Sequence, residues 1–163
     1  MTQPNIIMTR VDERLIHGQG QLWVKFLNCN TVIVANDAVS EDKIQQSLMK
    51  TVIPSSIAMR FFSIQKVIDI IHKANPAQNI FIVVKDLQDA YRLVEGGVPI
   101  KEINIGNIHK TDDKVAVTQF ISLGEEDKSA IRMLAHDHNI VFNTKITPAG
   151  SNSASEVNIL DYI

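Results

Sequence analysis

The chain has 163 residues, 45% of them hydrophobic, with 16 basic and 18 acidic side chains and a formal net charge of −2. That size and apolar content fit one domain, 1–163, with a sizeable core. The charge balance excludes the basic excess of a nucleic-acid binder, and the longest apolar runs are strand-length, too short to cross a bilayer. In chain order, short apolar runs rich in β-branched residues predict strands at 6–9, 31–35, 57–62, 80–84, 102–105 and 140–142. Amphipathic segments between them predict helices at 20–27, 41–51, 64–74, 87–95 and 125–137. Ser40, followed by Glu41-Asp42, reads as the N-cap of the second helix. Pro54 and Pro76 end helices, and Gly96-Gly97-Val98-Pro99 reads as a C-cap and a stop. The apolar run 115–123 predicts an added edge strand. The composition of 147–155 is that of a flexible loop, and 156–163 is expected to dock back as a short helix or strand. The alternation predicts an α/β fold: an open, mostly parallel twisted sheet of about six or seven strands, with helices on both faces.

Residues 1–10 lack the charged start and apolar middle of a signal peptide. The single cysteine, Cys29, rules out an intrachain disulfide. A cytoplasmic protein is the expectation.

The most informative stretch is Arg10-Val11-Asp12-Glu13-Arg14-Leu15-Ile16-His17-Gly18-Gln19, between the first strand and the first helix. In a parallel α/β sheet such a loop sits at the carboxyl end of a strand, where ligands bind. Each residue alone has an ordinary explanation, such as an Asp12–Arg14 ion pair or a turn glycine at Gly18. Together they suit a histidine nucleophile that takes a phosphoryl group. His17 can attack phosphorus through one ring nitrogen while Asp12 or a backbone carbonyl fixes the other. Arg10 and Arg14 can neutralise the phosphoryl oxygens. The amides of Gly18, Gln19 and Gly20 open a helix whose N-terminus favours an anion.

This motif, followed by Trp23, resembles the signature of mannose-type (mannose–fructose–sorbose class) IIB subunits of the bacterial phosphoenolpyruvate-dependent sugar phosphotransferase system. Val32 to Val39, Gln45-Gln46-x-Leu48-Met49, Gly96-Gly97-Val98-Pro99 and the string from Ile103 to His109 extend the resemblance along most of the chain. It implies that His17 receives a phosphoryl group at Nδ1 from a phosphorylated IIA partner. The group then passes to a sugar imported through the membrane subunits IIC and IID. It also implies no cofactor, no metal and no membrane insertion of this subunit. Arg60-Phe61-Phe62 and the Gly106-Asn107-Ile108-His109 string are similar to the N-acetylgalactosamine branch, which also takes related amino sugars. Where the family has one more residue between its His-Gly-Gln and its tryptophan, this chain has the shorter Gly18-Gln19-Gly20 turn.

Asn36-Asp37 follows the second strand and is either a capping pair or a second wall of the site. His109 follows a later strand and is either an exposed loop residue or part of the same wall. His136-Asp137-His138 does not place two ligands on one helix face, so it is not read as a metal site. Two other functions remain open on the residues alone. A histidine-type phosphatase or mutase would need a second histidine converging on His17. A non-catalytic regulator would tolerate loss of His17.

Overall fold

Runs of Val, Ile and Phe long enough for only one pass become strands whose two faces are both covered. The computed structural model describes residues 3–18, 20–147 and 156–163. Its strands are β1 (Asn5–Asp12), β2 (Thr31–Ala35), β3 (Ala58–Phe62), β4 (Asn79–Val84), β5 (Glu102–Asn107), β6 (Val115–Ala116), β7 (Ser122–Leu123) and β8 (Val141–Asn143). Six of them form one sheet in the order β3-β2-β4-β1-β5-β8, with every neighbouring pair parallel.

The helices are α1 (Gly20–Leu27), α2 (Lys43–Lys50), α3 (Ile64–Ile70), α4 (Leu87–Glu95) and α5 (Glu125–His138). Successive strand residues point to opposite faces. Val32, Val34, Phe81 and Val83 therefore pack with Trp23 and Val24 of α1 and Met49 of α2. Ile33, Ala35, Ile82, Val84, Ile103 and Ile105 pack on the other face with α3, α4 and α5. The α/β fold with helices on both faces is as the sequence predicts. Its chain path also places the site. From β1 the chain leaves by α1 on one face, whereas the neighbouring β4 leaves by α4 on the other. A crevice therefore opens at the carboxyl end of β1, the usual ligand position in such sheets.

Four local expectations are corrected. Strand β1 does not end at Thr9 but runs on through Arg10, Val11 and Asp12. Val11 is a fully buried core residue, and its polar neighbours are buried by pairing with each other. Ser40 does not cap α2. It lies in a single 3₁₀ turn, Val39–Glu41, and the Asp42 side chain accepts from the Gln45 N–H to start the helix. Helix α3 stops at Ile70 and tightens into a 3₁₀ turn, Ile71–Lys73. The run 115–123 adds no edge to the sheet. Thr118 Oγ1 accepts from the N–H groups of Phe120 and Ile121, which folds the run back on itself. Its ends, β6 and β7, pair antiparallel with each other.

At the C-terminal end a 3₁₀ turn, Ile159–Tyr162, docks back as expected, with Ile159 buried in the core. Most of the loop predicted at 147–155 lies outside the described residues, as does Gln19.

Candidate functional site

Asp12 ends β1 with no side-chain exposure, and four groups converge on its carboxylate. His17 Nε2 lies 2.8 Å from Oδ2. Arg10 Nη2 donates to Oδ2 at 3.2 Å. The Arg14 backbone N–H donates to Oδ1 at 2.9 Å, and Arg14 Nε reaches the same oxygen at 3.2 Å. The chain reaches this arrangement through a tight turn. The Leu15 N–H donates to the Asp12 carbonyl at 2.8 Å, and Leu15 itself takes a left-handed backbone with φ 57°. That conformation costs a branched residue about 1–2 kcal/mol. Burial of the Leu15 and Ile16 side chains in the α1-side core offsets it. Anchoring those two residues turns His17 back over Asp12.

Burial acts to raise the Asp12 carboxyl. Hydrogen bonds from His17, from the Arg14 N–H and from the Arg14 side chain, with the Arg10 charge, outweigh it and hold the group at about 2. Asp12 is therefore an ionised acceptor at neutral pH, and a neutral His17 must carry its proton on Nε2 to donate to it. Nδ1 is then the nitrogen available for attack. The His17 side chain is 20% exposed and the Arg14 side chain 47%, so both reach solvent.

Arg10 differs from its expected role. Its side chain is 5% exposed and lies beneath Asp12. Nη1 donates to Asn104 Oδ1, and the guanidinium stacks 5.0 Å from the centre of the Trp23 ring. Burial lowers its pKa, and the Asp12 charge opposes that. Arg10 thus packs as a buried counter-ion to Asp12, and Arg14 is the arginine of this loop that can face an incoming phosphoryl group. Gly106 of β5 makes room for it, because a Cβ there would overlap the guanidinium.

Gly18 is exposed with open space around it, and Gly20 begins α1, which has no acidic residue in its first turn. Asn36 and Asp37 turn away from His17. Asn36 Oδ1 accepts from the Val39 N–H, Asp37 Oδ1 accepts from the Ile64 N–H at the start of α3, and Asp37 Oδ2 pairs with Arg92. Both are capping residues. His109, with a 69% exposed side chain, contacts the Glu13 carboxylate through its ring Nδ1 and its backbone N–H. It joins the first loop at its rim and does not converge on His17. His138 pairs with Glu95.

Sequence reasoning missed Asn104 and Gly106. The signal was present: Asn104 is a polar residue between two apolar ones in Ile103-Asn104-Ile105, at a position a parallel sheet buries.

Comparison with known proteins decides the family. A sequence profile described as "PTS system sorbose subfamily IIB component" matches residues 6–161. The chain belongs to this family. It is a IIB component of the phosphotransferase system, a phosphotransferase in the general sense. The chain is 48% identical over 132 residues to the Escherichia coli "N-acetylgalactosamine-specific phosphotransferase enzyme IIB component 2", covering 80% of this chain and 84% of the relative. It is similar to a crystal structure of a Streptococcus pyogenes N-acetyl-galactosamine IIB component, with a TM-score of 0.96, 91% identity and full coverage of both chains. It is also 31% identical over 129 residues to the "PTS system mannose-specific EIIAB component" of E. coli, covering 78% of this chain and 40% of that longer one. Membership in this IIB family favours a phosphoryl carrier over a phosphatase or mutase. The second histidine that those would need is not supplied by His109.

Proposed function

We propose that His17 accepts a phosphoryl group at Nδ1 from a phosphorylated IIA protein and passes it to an amino sugar entering through IIC and IID. One observation carries the reading. His17 Nε2 is held at 2.8 Å by a fully buried, ionised Asp12, which leaves the lone pair on Nδ1 of a side chain that is 20% exposed. In the first step that lone pair attacks phosphorus and the bond to the IIA donor breaks. Nε2–H stays on the ring, and Asp12 stabilises the positive charge that the imidazole gains. Arg14, anchored to Asp12 through Nε at 3.2 Å and Nη2 at 3.4 Å, keeps about half of its side chain in solvent and can turn its guanidinium onto the phosphoryl oxygens. In the second step a sugar hydroxyl oxygen attacks phosphorus, the P–N bond breaks, and the electron pair returns to Nδ1 as the hydroxyl proton is released.

The substrate assigned is N-acetylgalactosamine or a related amino sugar, supported by the names of the E. coli and S. pyogenes relatives. A IIA partner is supported by the relative whose name joins A and B components on one chain. No helix among the described residues is long and apolar enough to cross a membrane. Function in the cytoplasm against permease subunits follows from that role.

The test is incubation with phosphoenolpyruvate, enzyme I, the phosphocarrier HPr and a cognate IIA. Acid-labile phosphate should appear on the wild-type protein and be absent from His17→Gln. Label surviving that substitution sinks the assignment. Adding membranes that carry IIC and IID should phosphorylate N-acetylgalactosamine in preference to mannose.

A further inference from the structure

The contacts beneath His17 do not stop at Arg10. Arg10 and Asn104 are register partners on β1 and β5, so both side chains leave the same sheet face. Arg10 Nη1 donates to Asn104 Oδ1. Asn104 is fully buried, and its amide donates to Asn143 Oδ1 at 2.6 Å and to the Lys145 carbonyl at 3.0 Å. Asn104 and Asn143 are in turn register partners on β5 and β8. A row of polar side chains therefore crosses three strands and ends on Asp12 and His17.

This row has one satisfied arrangement. If the Asn104 amide flipped, its oxygen would face two acceptor oxygens and its NH₂ would face the guanidinium, so three hydrogen bonds would be lost together. Buried networks of this kind rigidify only when every member is satisfied. The Arg10 guanidinium has only donors, and removing an acceptor would leave one of them stranded in the core. It would then reorient at the expense of its bond to Asp12.

We propose that Asn104, held by Asn143 and the Lys145 carbonyl, is a positioning residue for phosphoryl transfer. It clamps the Arg10 guanidinium through Nη1 while Asp12 takes Nη2, and so fixes the carboxylate that orients His17. The inference rests on the reading of His17 as the phosphoryl acceptor.

Asn104→Leu should slow single-turnover transfer from phosphorylated IIA to His17 by on the order of 10–100-fold. Its apparent affinity for IIA should stay unchanged, because Asn104 lies off the surface. Arg10→Met should lose as much or more. The double variant should lose no more than Arg10→Met alone, since Asn104 acts through Arg10. A wild-type rate in folded Asn104→Leu, or losses that multiply in the double variant, would overturn the proposal. The wild-type protein provides a readout that depends on no variant. Nitrogen-15 NMR should resolve separate, slowly exchanging Nη signals for Arg10, and one averaged signal would also overturn the clamp. If wild-type protein accepts no phosphoryl group from IIA, the acceptor reading fails. Resolved Arg10 signals beside that failure would still support the clamp.

Discussion

At the level of single residues, the two arginines of the first loop divide one task between them. Both pair with Asp12, but Arg10 is buried with Nη1 committed to Asn104, while Arg14 keeps half its side chain in solvent. Their substitutions should therefore differ in kind. Arg14→Ala removes an exposed charge, so stability should fall by less than about 1 kcal/mol. Phosphoryl transfer should slow by on the order of 10²–10³-fold, as for loss of one donor to developing charge. Thermal unfolding and single-turnover labelling measure the two effects separately, and an unfolded Arg14→Ala would favour a purely structural ion pair. Gly106→Ala probes Arg10 without touching its chemistry. The new methyl group occupies the space of the guanidinium, and a strand backbone gives less readily than a side chain. Overpacking of this kind costs about 1–3 kcal/mol. The protein should still fold, with Arg10 displaced and transfer slowed. An unchanged transfer rate would mean that the position of Arg10 beneath Asp12 does not matter.

At the level of elements, what the sequence discloses depends on whether a residue's partner is near or far along the chain. Helices α1 and α4 begin and end where composition and period place them, and β2 matches its predicted span. Their signals are local: β-branched runs, apolar period and turn residues. The errors arise where a distant contact or a choice between neighbours decides. Arg10 and Asp12 read as loop because they are charged, yet Asn104, 94 residues beyond Arg10, makes their burial in β1 affordable. The same limit applies to the site. His17, Asp12 and Arg14 were legible from a ten-residue motif, whereas the inward turn of Arg10 and the capping roles of Asn36 and Asp37 required the tertiary fold. The start of α2 shows a choice between neighbours. Ser40 and Asp42 are both good caps, and only the geometry shows that Asp42 accepts from Gln45 while Ser40 donates to the Asp37 carbonyl. Asp42→Ala should therefore cost about 1 kcal/mol in chemical denaturation. Ser40→Ala should cost clearly less, and phosphoryl transfer should be unchanged in both. Equal losses would return the cap to Ser40.

At the level of the whole molecule, one buried and one half-buried carboxylate on different elements give stability a pH profile with two limbs. Asp12 is held at about 2, below its ordinary value near 4. A depressed carboxyl contributes stability that is complete above the unfolded value and is lost as pH falls through the folded one. The Asp12 contribution should therefore disappear between about pH 4 and pH 2. Asp89, in the first turn of α4, behaves oppositely. Burial and then the Asp86 charge push it up to about 6; Arg92 opposes that and Asp37 adds to it. Between its unfolded value and pH 6 the folded protein binds more protons than the unfolded chain, so stability must fall as pH rises across that interval. The slope from this group is at most about 1 kcal/mol per pH unit. Wild-type protein should thus unfold at higher denaturant concentration near pH 5 than near pH 7.5, and weaken again below pH 4. Asp89→Asn keeps an oxygen for Arg92 and removes the half-buried charge. It should raise stability at pH 7.5, flatten the limb between pH 5 and pH 7.5, and leave the acid limb of Asp12 intact. The measurement is urea unfolding of both proteins across that range. A variant less stable than wild type at pH 7.5 would show that the Arg92–Asp89 ion pair outweighs the burial of its carboxylate.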